Sequence, residues 1–245
     1  MNEKNIRLIA LDLDGTVLHT DHTVSKENER AIKQAIENDV EVIFATGRHY
    51  STCVDYARTL GVKYLITVNG GEIWTTDGEL LDRNPLPQQA LDKFKKIHHT
   101  YSPWTWLVST DKVWRNEHPS DYDAHTWLKY GFDITEDKVR ESIIEELAVE
   151  TDIEVTNSSP TNLEVNAVGI NKARAIEKLC AKLDINMKHV MAMGDSMNDI
   201  KMIEEAGFGV AMENAQDEVK KVADWVTTHH TKHGVAQAIN KWVIE

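Results

Sequence analysis

Short apolar, β-branched runs recur along the chain and alternate with longer segments in which apolar positions return every three or four residues. Runs that are apolar at successive positions suit strands buried on both faces, and the longer period suits helices packed over them, so the alternation predicts a parallel sheet covered by helices. The first strand is read over Ile6 to Leu11. Ser25 can then cap a helix whose inward positions Ala31, Ile32, Ala35 and Ile36 share one face, and Val40 to Ala45 reads as a second buried strand. Another helix and a strand over Tyr64 to Val68 follow. The pattern resumes late, with a helix from about Lys172 to Leu183, strands within His189 to Met193 and Phe208 to Met212, and a terminal helix from Gly234 to Val243.

Between these blocks the pattern changes. From Arg83 to Asn166 the chain is proline-rich, carries Trp104, Trp106, Trp114 and Trp127, and breaks into short mixed segments, which predicts an inserted α+β unit. The expected fold is therefore α/β: a Rossmann-like parallel-sheet core from residues 1–82 and 167–245, with helices on both faces, interrupted by a cap over 83–166. The chain shows neither internal repeats nor low-complexity segments.

Composition narrows the chemistry. The 245 residues are enough for a sizeable buried core, and 40 acidic against 27 basic side chains give a formal charge of −13, which disfavours a nucleic-acid partner and means that any anionic ligand needs a local patch of positive charge. Cys53 and Cys180 stand far apart without metal-ligand spacing and read as small buried hydrophobes in a reducing compartment. The first residues lack the apolar stretch of a secretory leader, and no apolar run approaches the roughly 20 residues that span a bilayer, so a cytoplasmic protein is expected.

In a parallel sheet, ligands bind beyond the carboxyl ends of the strands. Four of those ends carry polar groups here: Asp12 with Asp14, Thr46, Asn69, and Asp195 with Asp199. Two carboxylates about 4 Å apart repel by roughly 4 kcal/mol at an effective dielectric near 20, so gathering Asp12, Asp14 and Asp195 calls for a cation. With oxygen donors alone and no histidine or thiolate at these positions, Mg²⁺ is favoured over Zn²⁺. Such a centre suits a phosphate oxygen.

Four ordered stretches carry a resemblance. "DLDGT" at Asp12 to Thr16, "ATGR" at Ala45 to Arg48, Lys172 in "GINKARAI" and "GDSMNDIKM" at Gly194 to Met202 resemble the haloacid dehalogenase superfamily, and most closely its Cof-type phosphatases. One departure is Ala173, where a glycine often follows the motif lysine. The resemblance implies that the insert is an α/β cap and that the substrate is a small phosphorylated metabolite such as a sugar phosphate, pyridoxal phosphate or flavin mononucleotide. It implies Asp12 as the nucleophile that forms an aspartyl-phosphate and Asp14 as the proton carrier. It further implies Thr46, Gly47, Lys172 and Asn198 as phosphate contacts and Asp195 as the completion of the metal site. Asp199, four residues on, is read as orienting Lys172 or a metal-held water rather than as a direct ligand.

Other features have plainer readings. Arg48 is expected to be a first-turn helix charge, with contact to substrate as the alternative, and "HHTKH" at His229 to His233 a loop rather than a metal site. The four tryptophans of the insert are candidates for packing or for a pocket wall. A phosphomutase would use the same Asp12 and Asp14 but return the phosphoryl group to its substrate, and a regulator that only binds a phosphorylated metabolite would keep the fold without turnover. Intact catalytic positions disfavour the regulator, and release of inorganic phosphate would exclude the mutase.

Overall fold

A computed structural model describes residues 5–244. The chain begins with β1 (Leu8–Leu11), α1 (Lys26–Glu37), β2 (Glu41–Ala45), α2 (Val54–Leu60), β3 (Tyr64–Thr67), β4 (Glu72–Thr75) and β5 (Leu80–Arg83). The middle section comprises α3 (Gln88–Tyr101), β6 (Trp104–Ser109), β7 (Val113–Arg115), β8 (Trp127–Asp133), α4 (Asp137–Leu147), β9 (Ile153–Thr156) and β10 (Asn162–Ala167). The last section runs through α5 (Lys172–Leu183), β11 (Val190–Gly194), α6 (Ile200–Glu205), β12 (Phe208–Ala211), α7 (Asp217–Val222), β13 (Trp225–Val226) and α8 (Gly234–Ile239).

The first and last sections share an eight-stranded sheet in the order β13-β12-β11-β1-β2-β3-β4-β5. It is parallel from β13 to β3, and β4 and β5 extend it as an antiparallel hairpin. Alternate residues of the central strand enter different cores. Ile9 and Leu11 join Ala31 and Ile32 of α1 with Val235 and Ile239 of α8, whereas Leu8 and Ala10 join Ile176 and Leu179 of α5 with Met202 and Ile203 of α6. Burial on both faces is why β1 reads as one apolar run, each full Leu or Ile burial contributing roughly 1.5–3 kcal/mol.

Helix α1 starts where the Ser25 hydroxyl accepts the amide N–H of Asn28 at 3.1 Å, and α2 stops at Gly61, whose φ of 77° ends it in the left-handed region. The expected terminal helix is α-helical only to Ile239 and continues as a π-turn over Asn240–Ile244. This wider turn carries Trp242 onto Phe208 and Trp225, with ring centres 4.9 and 5.9 Å apart.

The middle section forms a five-stranded antiparallel sheet, β7-β6-β8-β10-β9. Helices α3 and α4 cover one face, with Phe94, Ile97, Ile143 and Leu147 against Leu107, Tyr130, Phe132 and Val165. The other face meets the carboxyl ends of the first sheet, where Val108 and Leu128 pack on Val68 and the Asn166 amide donates to the carbonyls of Val68 and Leu128, both at 3.0 Å. Among the described residues no helix is long and apolar enough to cross a membrane.

Candidate active site

Beyond β1, the Asp12 amide still donates to the Met193 carbonyl at 3.0 Å, so this carboxylate stands at the seam between β1 and β11. The chain then turns at Gly15, which has a φ of 78°. A Cβ there would lie 2.4 Å from Oδ2 of Asp195, so both the backbone conformation and the close approach require glycine. Thr16 donates its hydroxyl to Asp195 Oδ1 at 3.3 Å, and the turn brings the ends of β1 and β11 together.

Lys172, the first residue of α5, is fully buried behind this seam. Its Nζ donates to Oδ1 of Asp12 and to Oδ1 of Asp199, each at 2.6 Å. The other Asp199 oxygen accepts the amides of Asp195 and Ser196 at 2.9 and 3.0 Å, so Asp199 is occupied in fixing the lysine and the start of the turn after β11. One oxygen from each of Asp12, Asp195 and Asp199 lies within 4.8 Å of the others.

Three carboxylates here share one ammonium. Burial pushes Asp12 well above the ordinary carboxylate range; Lys172 opposes the shift while Asp199, Asp195 and Asp14 add to it. Burial, then Asp199, pushes Asp195 up to about 7. Burial alone would lower Lys172, but Asp12 and Asp199 more than offset it and raise the ammonium above its usual value. The group is short of positive charge, and its donors are all oxygen. It thus fits a hard divalent cation such as Mg²⁺.

The Asp14 carboxylate does not join this group. Arg48 grips it with both arms, Nε to Oδ2 at 2.7 Å and a terminal nitrogen to Oδ1 at 2.6 Å, and this hydrogen bonding raises the guanidinium pKa further. The reading of Arg48 as a first-turn helix charge is therefore corrected. After Gly47 the chain makes a tight turn over Tyr50–Thr52 and α2 begins only at Val54, which leaves the Arg48 side chain able to reach across the end of β1.

Thr46 is buried, with its hydroxyl accepting the Arg48 amide at 3.1 Å. Gly47 and Asn198 line a cavity of about 540 Å³ together with Asp12, Asp14 and Arg48, whereas Thr46 and Lys172 lie behind its wall. Asn198 donates to Oδ1 of Asn69 at 3.2 Å, and its own Oδ1 is buried without a partner among the described residues.

Among the wall residues that the sequence did not single out are two of opposite charge. Lys129 of β8 and Glu164 of β10 form a buried ion pair at 3.1 Å, and the lysine also donates to the Gly47 carbonyl at 2.7 Å. Glu164 accepts from the Asn69 amide and, at 2.8 Å, from the Ser158 hydroxyl. Burial acts to raise Glu164, but the Lys129 charge and these hydrogen bonds prevail and hold it below the usual range. The available signal was alternation: Lys129 and Gly131 share one face of "WLKYGFD", and a charge within a buried run asks for a partner.

Of the four insert tryptophans, Trp106 lines the cavity. Trp127 is 2% exposed with its Nε1 bonded to the Tyr122 carbonyl at 2.9 Å, Trp114 packs on it, and Trp104 is 44% exposed. His229 to His233 form a connecting turn, and among the described residues the acidic cluster is the only group of three or more such side chains placed to hold a metal.

A family profile for haloacid dehalogenase-like hydrolases matches residues 9–143 and 117–239. The 5-amino-6-(5-phospho-D-ribitylamino)uracil phosphatase YcsE of Bacillus subtilis is 46% identical over 241 residues, covering 98% of this chain and 97% of that protein. An HMP-PP phosphatase of Serratia proteamaculans is 30% identical, with 97% and 95% covered. In fold, the chain superposes on a haloacid dehalogenase-like hydrolase from B. subtilis with a TM-score of 0.89 at 24% identity, covering 96% of this chain and 99% of that one. With the profile spanning nearly its whole length and full-length phosphatases among its relatives, this chain belongs to the haloacid dehalogenase-like hydrolases and is a phosphatase.

Proposed function

We propose that the chain hydrolyses a small phosphate monoester through an aspartyl-phosphate on Asp12, with Mg²⁺ as cofactor and with 5-amino-6-(5-phospho-D-ribitylamino)uracil, the substrate named for its 46% identical relative, as the first compound to test. The observation that carries this reading is the contact of Lys172 with Asp12 inside a group of three acids. Lys172 holds Oδ1 of Asp12 and leaves Oδ2 to attack phosphorus. The P–O bond to the leaving oxygen breaks as the new Asp12–phosphorus bond forms, and Asp14 delivers a proton to that oxygen. Water then attacks phosphorus, Asp14 takes its proton, and Asp12 and inorganic phosphate are released.

Asp12 and Asp195 would hold the Mg²⁺; while Arg48 occupies both carboxylate oxygens of Asp14, that residue has only its main-chain carbonyl to add. The cation supplies charge for the phosphoryl oxygens. For Asp14 to reach the leaving oxygen it must leave Arg48, which lines the same cavity and is free to meet substrate once released. Gly47 and Asn198 take the phosphoryl end, while Thr46 shapes the loop from behind.

The test is phosphate release from a panel of phosphorylated metabolites, with and without Mg²⁺. Mg²⁺-dependent release is expected. Transfer of the phosphoryl group back to substrate without release would instead indicate a mutase, and binding without either reaction would leave a regulator.

A further inference from the structure

We infer that Trp106 and Arg115 of the cap form a recognition site for a planar, carbonyl-bearing ring at the end of the substrate remote from its phosphate. The inference rests on the phosphatase reading for where the phosphate sits, and the ring site itself follows from the register of the cap sheet. Arg115 pairs with Trp106, Trp106 with Gly131, and Gly131 with Glu164, so these four residues form one row across β7, β6, β8 and β10. Residues in such a row point to the same face.

The two ends of the row differ. Glu164 is locked to Lys129, Asn69 and Ser158, next to Gly47 and the catalytic strand ends. Arg115 lies at the opposite end and lines the cavity, and its side chain has no hydrogen-bond or ion-pair partner among the described residues.

Between them the indole of Trp106 lies over Gly131. A Cβ on that glycine would stand 2.1 Å from Cε2 and 2.4 Å from both Cδ2 and Cζ2 of Trp106. Only glycine lets the ring settle this low on the sheet, and Val108 with Val113 continues the apolar wall beside it. An aromatic surface offers stacking to a flat ring, and a guanidinium at its edge offers paired N–H donors to ring carbonyls. A polyol alone would use neither fully. The order along the cavity is thus phosphate at Asp12 and Gly47, a connecting chain, and a ring over Trp106 with its carbonyls toward Arg115.

The decisive comparison is between 5-amino-6-(5-phospho-D-ribitylamino)uracil and D-ribitol 5-phosphate, which share the phosphate and the polyol but not the ring. The ratio of their kcat/KM values is measured in the wild type and in Trp106→Ala, Trp106→Phe and Arg115→Ala. It should favour the ring-bearing ester in the wild type, fall about ten-fold in Trp106→Ala and Arg115→Ala, mainly through KM, and be largely kept in Trp106→Phe. Arg115 is exposed, so its variant keeps the test open if Trp106→Ala fails to fold. A wild type that hydrolyses both esters with no preference, or substitutions that leave the ratio unmoved, would overturn the ring site and leave the phosphatase reading standing. If neither ester is hydrolysed, it is the choice of substrate that fails. Calorimetric binding of the ring-bearing ester to Asp12→Asn, with and without Arg115→Ala, then decides the ring site: about ten-fold weaker binding without the arginine supports it, and equal binding overturns it.

Discussion

Oδ1 of Asp12 is held by Lys172, and both oxygens of Asp14 are held by Arg48, so two carboxylates two residues apart have different environments, which suits the different tasks proposed for them. Asp12→Asn should abolish turnover with an unchanged circular-dichroism spectrum, because an amide of the same size cannot form the acyl-phosphate. Residual kcat above a few per cent of wild type would exclude the covalent route. The acid cluster also makes a pH prediction. Asp195 rises from an unfolded value near 3.9 to about 7, so between those values the folded protein binds more protons than the unfolded one and stability falls as pH rises. Urea denaturation in EDTA should therefore give a lower unfolding free energy at pH 8 than at pH 5, and a saturating divalent cation should flatten that slope. A metal-free protein of equal stability at both pH values would mean that the acids are not short of positive charge. Burial pushes the Cys53 thiol up to about 12 and Cys180 up to about 11, so thiol reagents should react with the native protein far more slowly than with the unfolded chain.

Strands β8 and β10 reach the core through Lys129 and Glu164, which tie the cap to the Gly47 carbonyl and to Asn69. Removing one partner of a buried ion pair leaves the other uncompensated, a loss of about 3–5 kcal/mol. Lys129→Met should lower thermal stability accordingly and reduce kcat, since the loop holding Gly47 loses its brace; an unchanged kcat in the folded variant would make the pair purely structural. Glu164 contributes with the opposite pH sign to Asp195. Its folded value is depressed, so its contribution is present above the usual glutamate range and is lost as pH falls through the folded value. The core elements were legible because their signals are local: the inward face of α1, the Ser25 cap, and the full span of α5 from Lys172 to Leu183. The Lys129–Glu164 tie was not legible, because its partners are 35 residues apart and meet only through strand register. Arg48 was misread for a related reason, since the delay of α2 to Val54 depends on a turn that helical periodicity does not report.

At the level of the whole molecule, the proposed reaction has a −13 chain bind an anion where Lys172 and Arg48 oppose the acids and where a cation would add to them, so activity should vanish in EDTA, return with Mg²⁺, and fail with Ca²⁺, whose looser shell misplaces the phosphoryl group. Full activity in metal-free buffer would rule out the metal. The carboxyl-end crevice was readable from "DLDGT" and "GDSMND", whereas the cap wall facing it was not, because its residues come from short strands whose order across the sheet differs from their order in the chain. The position of β1 has a further consequence. It lies between β2 and β11, with Leu8 opposite Val190, while the cap is one unbroken stretch with its own buried cluster. As the chain leaves the ribosome, everything the cap needs has been made before β11 exists, and β1 waits with one edge open. Nascent chains stalled with β10 just outside the ribosome and β11 still inside its exit tunnel should already protect α3 through β10 from protease while the exposed segment before α3 is cut, so the cap would be finished before the sheet that joins Asp12 to Asp195.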